Sequence, residues 1–399
     1  MQSWHDDVSP SPQRRTGPAR AQWSPCILRC RGRLVGRLLK VLTVIGARPQ
    51  FVKSAIVSAA FAVRSDVKET VVDTGQHYDP NMSSVFFNDM AAGPPKYSLN
   101  VGSGSHAQQT AKMLAALEPV FEDEAPDVLL VYGDTNSTLA GALCAAKLHV
   151  PIAHVEAGLR SFNRRMPEEV NRVMVDHLSD MLFAPTTVAV HNLEHEGLSP
   201  EKVHLVGDVM YDASLRFRDE AARRSDVLEK LELAPGGYIL ATVHRAENTG
   251  TDARLREIFA ALERTTETLP VVLPLHPRTR AVVEQWEVNA LDHTAIHVLE
   301  PVGYLDMVQL EANSAAVVTD SGGVQKEAYF YGVPCVTLRE ETEWTELVDS
   351  GWNRLVTPDD ADAIVSVIAA AVGTVGTPSE LYGDGHASEA IVNLLVRKA

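Results

Sequence analysis

The sequence predicts an α/β fold made of two doubly wound parallel sheets. Short apolar runs, most of them rich in β-branched residues, recur along the chain, and each ends in a polar or glycine-rich loop before helix-forming sequence. These runs are apolar throughout rather than alternating, which is typical of strands covered by helices on both faces. The pattern stops once, at Pro235-Gly236-Gly237, and then begins again. A chain of 399 residues accommodates two such domains.

The charge of the chain argues against a nucleic-acid partner. The formal net charge is −16, although residues 1–40 alone carry eight Lys/Arg against two Asp/Glu. The remainder is therefore still more acidic, which is unfavourable for binding a polyanion. No apolar run approaches the roughly 20 residues of a membrane helix, and four cysteines give no disulfide framework. These features predict a cytoplasmic protein that does not bind a membrane.

The chain divides into four predicted segments. Residues 1–39 are rich in Pro, Ser and Arg without periodicity, so we expect a disordered extension or sequence upstream of the true start. Residues 40–210 form the first predicted domain and residues 211–385 the second. Residues 386–399 contain a last helix, at about 387–396.

The first domain begins with a strand at 40–45, which a Gly-x-Arg-Pro turn interrupts before a helix at 51–64. Further strands are predicted at 70–73, 128–132, 152–155, 181–184 and 203–206, with helices around 81–90, at 108–124 and at 139–148. Ligands of open α/β sheets bind at the carboxyl ends of the strands. The candidate site residues near these ends are Arg48, Lys53, Asp134, Glu156, Glu168 and Arg172.

The second domain follows a charged helical stretch at 211–233 and repeats the pattern. Its strands are predicted at 238–243, 271–275, 296–299, 315–318 and 335–338. The candidates near their ends are His244, Arg245, His276, Arg278, Ser321, Glu327 and Arg339. Two such domains bring their strand ends face to face across a cleft, where both groups of residues would meet.

The most informative loop is Asp320-Ser321-Gly322-Gly323, between a short buried strand and helix-forming sequence. Two consecutive glycines let a ligand approach the bare backbone. A helix N-terminus offers unpaired N–H groups and the positive end of the helix dipole to an anion, so we expect Ser321, Gly322 and Gly323 to bind phosphate. Glu327, one turn further in, is placed to accept hydrogen bonds from a ribose.

Carboxylates beside several cations suit acid/base chemistry on a substrate that carries a diphosphate. The cations hold the phosphates, and a carboxylate moves a proton on carbon in a cleft that excludes water. We expect no cofactor and no metal, because the chain has no GxGxxG or Walker loop and its histidines form no HExxH pair. It also lacks a GxSxG elbow, which argues against a serine hydrolase.

Eight short motifs carry a resemblance to a known family. They are Ile45-Gly46-Ala47-Arg48-Pro49, Thr74-Gly75-Gln76-His77, Gly133-Asp134-Thr135, His154-Val155-Glu156-Ala157-Gly158-Leu159-Arg160, Met166-Pro167-Glu168-Glu169-Val170-Asn171-Arg172, His244-Arg245-Ala246-Glu247-Asn248, Thr319-Asp320-Ser321-Gly322-Gly323-Val324-Gln325 and Tyr382-Gly383-Asp384-Gly385. In this order they resemble the non-hydrolysing UDP-N-acetylglucosamine 2-epimerases. The resemblance runs from about Val41 to the C-terminus and leaves out residues 1–39.

The resemblance implies the GT-B architecture, in which two Rossmann-like domains face a cleft and a C-terminal helix crosses back to the first domain. It implies an isomerase that converts UDP-N-acetylglucosamine to UDP-N-acetylmannosamine. The reaction eliminates UDP to give 2-acetamidoglucal and then adds UDP back, so that C2 is inverted without nicotinamide or metal. A UDP-sugar substrate and a homodimer are also implied.

The resemblance further implies roles for individual residues. Asp134, Glu156 and Glu168 would be the acid/base candidates at C2, while His244 and Arg172 would stabilise the leaving diphosphate. The residues implied to bind substrate are Arg48, Lys53, His276, Met307, Ser321, Gly322, Gly323, Glu327 and Arg339. Met307 belongs to a predicted turn, from Tyr304 to Met307, that would form a wall for uracil.

One stretch departs from the pattern of many family members. Thr342-Glu343-Trp344-Thr345-Glu346 carries Trp344 where those members have an arginine that would face the substrate. Together with Gln325-Lys326-Glu327, this variant looks more like the branch that acts on UDP-2,3-diacetamido-2,3-dideoxy-glucuronate. That sugar nucleotide is therefore an alternative substrate.

Three other functions stay open from the sequence alone. A GT-B glycosyltransferase shares the nucleotide-binding helix but does not need carboxylates aimed at C2, and product analysis without an acceptor would separate it. A hydrolysing epimerase would accumulate free UDP and N-acetylmannosamine. A non-enzymatic sensor would keep its output after loss of Asp134.

Overall fold

The computed structural model describes residues 38–76, 94–286, 296–377 and 380–398. The predicted extension lies outside them, apart from its last two residues, and so does the predicted helix around 81–90. The strands are β1 (Leu39–Ile45), β2 (Val67–Asp73), β3 (Tyr97–Ser98), β4 (Val128–Tyr132), β5 (Ile152–Val155), β6 (Met181–Ala184), β7 (Val203–Leu205), β8 (Ile239–Thr242), β9 (Val271–Pro274), β10 (Ile296–Leu299), β11 (Ala316–Thr319), β12 (Cys335–Thr337) and β13 (Asn353–Leu355).

The helices of the same ranges are α1 (Arg48–Ala62), α2 (His106–Glu124), α3 (Asn136–Lys147), α4 (Pro167–Leu178), α5 (Thr187–His195), α6 (Val209–Arg224), α7 (Val227–Lys230), α8 (Ala246–Thr249), α9 (Asp252–Thr265), α10 (Pro277–Val283), α11 (Tyr304–Ala312), α12 (Gly322–Phe330), α13 (Thr345–Asp349), α14 (Ala361–Ala371) and α15 (Ala387–Lys398). A short 3-10 helix, Pro200–Lys202, precedes β7. None of the described helices combines the length and the apolar composition that a membrane span requires.

The first sheet has seven strands in the order β3-β2-β1-β4-β5-β6-β7, and every neighbouring pair is parallel. The strand order reverses between β1 and β4, so the connections after these two strands leave in opposite directions and open a crevice. Arg48 and Lys53 lie in the helix after β1, and Asp134 follows β4. The topology therefore places these three residues at the crevice.

The second sheet has six parallel strands in the order β10-β9-β8-β11-β12-β13. Its order reverses between β8 and β11, which is the equivalent switch point. His244 follows β8 and Ser321 follows β11, so both lie at the crevice of the second sheet.

One apolar cluster connects the helices of both sheets. Phe217 of α6 packs edge-on against Tyr304 of α11, with 5.3 Å between the ring centroids. The last helix, α15, joins the same cluster, and Asp212 of α6 accepts hydrogen bonds from the backbone N–H groups of Ala387 and Ser388 at 3.1 and 2.8 Å. The carboxylate thereby satisfies two of the otherwise unpaired donors at the start of α15.

Several elements differ from the sequence prediction. The helical stretch predicted at 211–233 begins at Val209 and breaks at Ser225, whose hydroxyl hydrogen-bonds a side chain of α11. The predicted turn from Tyr304 to Met307 is instead the first turn of helix α11, because Gly303 takes the N-cap position. The edge strands β3 and β13 were not predicted, since two and three residues are too few to show a pattern. The domain boundary at 210/211 falls in the first turn of α6 and stays a prediction.

Candidate active site

The loop after β1 is fixed by the buried side chain of Gln50. Its amide oxygen accepts hydrogen bonds from the backbone N–H groups of Gly46 and Ala47 at 2.8 and 3.1 Å. Its Nε2 donates to the carbonyl of Tyr132 at 2.7 Å and to two threonine hydroxyls beyond β4. This amide therefore ties together the two loops at the switch point, and Arg48 begins α1 beside it.

Asp134 is held by Arg172 of α4. Nε and Nη2 of Arg172 donate to Oδ2 of Asp134 at 2.9 and 2.6 Å, and Nη1 donates to the buried carboxylate of Glu169 at 2.9 Å. Burial lowers the pKa of Arg172, but Asp134 and then Glu343 raise it more, so the guanidinium stays charged. Two of the predicted site residues are thus direct partners, and Asp134 keeps 29% of its side chain exposed.

Glu156 is bound between two lysines. It has a φ of 71°, in the left-handed region that residues with a Cβ seldom adopt. Its carboxylate pairs with Lys53 of α1 and, at 2.8 Å, with Lys326 of α12, which also binds Asp208 at 2.6 Å. Burial raises the pKa of Glu156, but Lys326 and Lys53 lower it far below its usual range, so the group stays ionised. We call these four residues the buried ion-pair network.

Glu168 and Glu169 are neighbours in the first turn of α4, yet their environments differ. Glu169 accepts hydrogen bonds from the backbone N–H groups of Ser161 and Phe162 at 3.0 and 2.9 Å, besides the one from Arg172. Burial raises its pKa, and these donors lower it by more. Glu168 is half-buried and makes no hydrogen bond or ion pair within the described ranges. Of the three predicted carboxylates, Glu168 is therefore the one without a partner in the part of the chain that the structure describes.

The buried side chain of Asp320 organises the loop after β8. Its carboxylate accepts hydrogen bonds from the backbone N–H groups of His244 and Arg245, each at 3.0 Å, and from the side chain of Asn248 at 3.0 Å. Three donors on one carboxylate fix the path of the backbone at His244 and Arg245. The loop after β8 is thereby joined to the loop after β11, across the second switch point.

The rings of His244 and His276 stack, with 5.4 Å between centroids and 30° between planes. Nδ1 of His244 also lies 3.3 Å from Asp320. Burial lowers the pKa of His244, Asp320 opposes this, and Arg245 and Arg278 lower it further. Burial likewise lowers the pKa of His276, with His244 and Arg278 adding to the effect. Both imidazoles are therefore mainly neutral at neutral pH in the ligand-free chain.

Ser321 takes the N-cap position of α12, and Gly322 and Gly323 begin the helix. The carboxylate of Glu343 lies beside the first residue of this helix, since a Cβ on Gly322 would lie 2.5 Å from Oε1 of Glu343. Nη1 of Arg339 binds the same carboxylate at 3.0 Å. Burial raises the pKa of Glu343, but Arg339 and two other arginines lower it by more. An anionic oxygen thus lies next to the helix start at which the sequence predicts phosphate.

Residues from both sheets meet at this point. Lys326 of α12 reaches Glu156 across the crevice, and the other two arginines that act on Glu343 are Arg245 and Arg172, one from each sheet. The predicted Asp134, as the partner of Arg172, therefore lies on the same side of the molecule as the N-terminus of α12.

The other predicted residues lie at different depths. Glu327 is half-buried, one turn into α12. Met307 is half-buried on α11 and packs against an apolar cluster that includes Ala328 of α12. Met307 therefore lies on a helix rather than on the predicted turn.

Sequence reasoning gave no role to Lys326, Asp208, Asp320 or Glu343. Lys326 is one of four buried residues of α12, together with Gln325, Ala328 and Phe330. A lysine among buried positions of a short helix was the available signal, because a buried ammonium needs a carboxylate partner. That the partner would come from the other sheet has no counterpart in local sequence.

Comparison with known proteins assigns this geometry to a family. A family model described as UDP-N-acetylglucosamine 2-epimerase matches residues 59–396. The chain belongs to the UDP-N-acetylglucosamine 2-epimerase family. A Pseudomonas aeruginosa protein named UDP-2,3-diacetamido-2,3-dideoxy-D-glucuronate 2-epimerase is 50% identical over 363 residues, which cover 90% of this chain and 100% of the relative.

Solved structures support the same family and fold. The crystal structure of Methanocaldococcus jannaschii UDP-GlcNAc 2-epimerase in complex with UDP-GlcNAc and UDP has a TM-score of 0.82 and 39% identity, covering 90% of this chain and 99% of that one. A lipopolysaccharide outer core galactosyltransferase, at a TM-score of 0.50 and 13% identity over 90% of this chain and 99% of its own, shares the fold alone. The predicted family, GT-B fold class and isomerase class are confirmed.

Proposed function

We propose that the chain inverts C2 of a UDP-2-acetamido sugar, interconverting UDP-N-acetylglucosamine and UDP-N-acetylmannosamine without hydrolysis. The observation that carries this proposal is the contact between the Glu156 carboxylate of the first sheet and Lys326 of the phosphate-binding helix of the second. It puts the edge of the first sheet, which carries the three candidate carboxylates, beside the helix whose N-terminus is suited to a diphosphate.

The proposed reaction is redox-neutral. A base removes the proton from C2 while the bond between C1 and the diphosphate oxygen breaks, which gives 2-acetamidoglucal and UDP. UDP then adds back to C1 through the same oxygen, and a proton is delivered to the opposite face of C2. Negative charge develops on the diphosphate during elimination, and the N-terminus of α12 with the surrounding arginines would stabilise it.

The three carboxylates differ in what they can do. Glu156 is a weak base and a poor proton donor, because its pKa is held so low that it stays ionised. Its proposed role is to orient Lys53 and Lys326. We assign proton transfer on one face of C2 to Glu168, whose carboxylate has no partner within the described ranges. Asp134 would serve the other face, since Arg172 donates both hydrogen bonds to Oδ2 alone.

A second candidate substrate is UDP-2,3-diacetamido-2,3-dideoxy-glucuronate. The relative that is 50% identical is named for this sugar nucleotide, and the chain has Trp344 where many family members have an arginine. The elimination and re-addition would be the same, because both sugars carry a 2-acetamido group and an anomeric diphosphate. The two substrates differ only in what surrounds C3 and C6.

The deciding experiment is turnover of both sugar nucleotides in heavy water, without an acceptor, followed by NMR of the anomeric and C2 protons. The expected product is the C2 epimer with deuterium at C2. Absence of C2 deuterium with either substrate would overturn the proposal. Free UDP accumulating with the free sugar would instead indicate a hydrolysing epimerase.

We also propose a cytoplasmic homodimer, which the composition and the family resemblance support. Light scattering coupled to size exclusion should give twice the 43.4 kDa mass of the chain. A single-chain mass at all concentrations would contradict it.

A further inference from the structure

The indole of Trp344 keeps its hydrogen-bond donor open. Trp344 is 4% exposed, and its Nε1 has no hydrogen-bond partner among the residues the structure describes. Buried polar groups are nearly always hydrogen-bonded, so an exception needs an explanation. Trp352 shows the usual arrangement, because its Nε1 donates to the carbonyl of Thr377 at 3.1 Å.

The ring of Trp344 is held in place from two sides. Nζ of Lys326 lies 4.1 Å from the ring centroid, and the ring of Tyr382 packs edge-on at 6.1 Å. Lys326 is itself fixed by the buried ion-pair network. The indole therefore has little freedom to turn its N–H toward another acceptor.

The indole nitrogen lies close to the start of α12, a helix of nine residues. A Cβ on Gly322 would lie 3.7 Å from Nε1 of Trp344 and 2.5 Å from Oε1 of Glu343. The Glu343 carboxylate shows that an anionic oxygen fits beside Gly322, although it accepts no hydrogen bond from the indole. A ligand oxygen that displaced this carboxylate and lay closer to Nε1 could accept one, and the N-terminus of α12 would favour its negative charge.

We propose that Nε1–H of Trp344 donates a hydrogen bond to an oxygen of the bound sugar nucleotide in front of Gly322. Trp344 is then a specificity-determining residue of the site. This inference rests on the proposed function, because the UDP-sugar is the ligand that supplies the oxygen. The acceptor is an oxygen of the diphosphate or of a sugar substituent, and the chemistry of recognition is the same for both.

W344F tests the inference, since phenylalanine keeps an aromatic face for Lys326 and removes only the N–H and part of the ring. Affinity for UDP-N-acetylglucosamine, measured by calorimetry, should fall roughly tenfold through loss of one hydrogen bond. The melting temperature of the ligand-free variant should not fall through loss of a hydrogen bond, because none is made there. W352F is the matched control: it loses a formed hydrogen bond, so it should melt lower and bind ligand as the wild type does.

UDP alone separates the two acceptors. Equal weakening of UDP and UDP-sugar binding by W344F assigns the donor to the diphosphate, whereas weakening confined to the UDP-sugar assigns it to the sugar. Unchanged affinity for UDP and for both candidate UDP-sugars overturns the inference.

If W344F does not fold, NMR of the ¹⁵N-labelled indole of the wild type decides, with W352F helping to assign the resonances. The Trp344 N–H resonance should move on saturation with UDP-N-acetylglucosamine, and no movement overturns the inference. A wild type that binds UDP but exchanges no C2 deuterium would refute only the proposed function.

Discussion

At the carboxyl edge of the first sheet, Asp134 and Glu156 are paired with charged side chains, whereas at the edge of the second sheet the buried carboxylate of Asp320 is paired mainly with the backbone. Arg172 binds both Asp134 and Glu169, and Lys53 binds Glu156. On the second sheet, Asp320 takes the backbone N–H groups of the loop after β8.

This difference fits the roles we propose for the two edges. Proton transfer on carbon needs a rigid site, and the ion pairs of the first edge can hold the surroundings of Glu168 in place. A surface that binds a diphosphate needs N–H groups available for the incoming oxygens. On the second sheet the charge of Asp320 shapes the loop after β8, while the carboxylate of Glu343 lies beside Gly322, the first residue of α12.

The largest expected effect comes from E168Q on the first sheet. Turnover and C2 deuterium exchange should fall by about 100- to 10,000-fold, as expected for loss of a general acid or base. UDP affinity should stay unchanged, because Glu168 lies outside the diphosphate site that we propose on the second sheet. Steady-state kinetics and calorimetry with UDP check the two halves of this prediction.

E169Q is the matched control for that substitution. Glu169 is buried and accepts hydrogen bonds from two backbone N–H groups and Arg172, so its loss should lower the melting temperature, which E168Q should leave nearly unchanged. If E168Q retained turnover and E169Q kept the melting temperature of the wild type, both roles assigned to these neighbours would be wrong.

The next effect tests the connection between the two edges. K326M removes the cation shared by Glu156 and Asp208 and should destabilise the fold by about 3–5 kcal/mol at neutral pH, as for other broken buried pairs. Since the folded pKa of Glu156 lies below 4.5, its contribution is present above about pH 4.5 and is lost as pH falls through the lowered value. The difference in free energy of unfolding between wild type and K326M should therefore become smaller as the pH is lowered.

Urea unfolding over a series of pH values measures this difference. K230M is the control, because Lys230 and Asp226 form an exposed pair whose loss should change stability far less than loss of the buried pair. A difference that stayed constant from neutral to acidic pH would show that Glu156 is not held ionised by Lys326.

The fold and the candidate site residues at strand ends could be predicted from the sequence, because both follow from local sequence pattern. Apolar strands end at polar residues, so Asp134 and His244 could be placed at strand ends from the sequence alone. What it could not show are pairings between residues far apart in the chain. Lys326 binds a carboxylate 170 residues away, and nothing in its own segment identifies that partner.

The same limit explains the predictions about conformation that were wrong. The predicted turn ending at Met307 is the first turn of helix α11, which packs on α6. A contact with a distant helix cannot be predicted from the nine residues of α11 alone. Trp344 was singled out from the sequence as a departure from the family pattern, but its open N–H depends on how Lys326 and Tyr382 hold the ring.

D320N should produce a smaller effect on the second sheet. His244, Arg245 and Asn248 all donate to Oδ2 of Asp320, and the N–H of His244 also reaches Oδ1. Asparagine replaces a charged acceptor by a neutral one and puts its NH₂ group where Oδ1 accepts that N–H, so the cost should be about 1–3 kcal/mol. UDP affinity should fall with it, because the loop after β8 loses its shape. This is the reverse of E168Q, which spares UDP binding.

D212N supplies the control for that variant. Asp212 is also buried and also accepts hydrogen bonds from two backbone N–H groups, but these belong to α15. It should cost comparable stability and leave UDP affinity unchanged. Equal losses of UDP affinity in D320N and D212N would mean that general destabilisation, rather than the shape of the loop, explains the result.

The smallest expected effect is a pH dependence of UDP binding that arises at the carboxyl edge of the second sheet. The pKa of His244 lies below its ordinary value because of burial, with Arg245 and Arg278 adding to the shift. A bound diphosphate would oppose these cations and raise that pKa, so UDP binding should take up a proton and weaken as pH rises through neutrality. One proton limits the change to at most about tenfold per pH unit. Calorimetry in two buffers of different ionisation enthalpy measures the uptake, and H244N should reduce it. Equal uptake by the wild type and H244N would place the titrating group elsewhere, with His276, stacked on the same ring, as the next residue to replace.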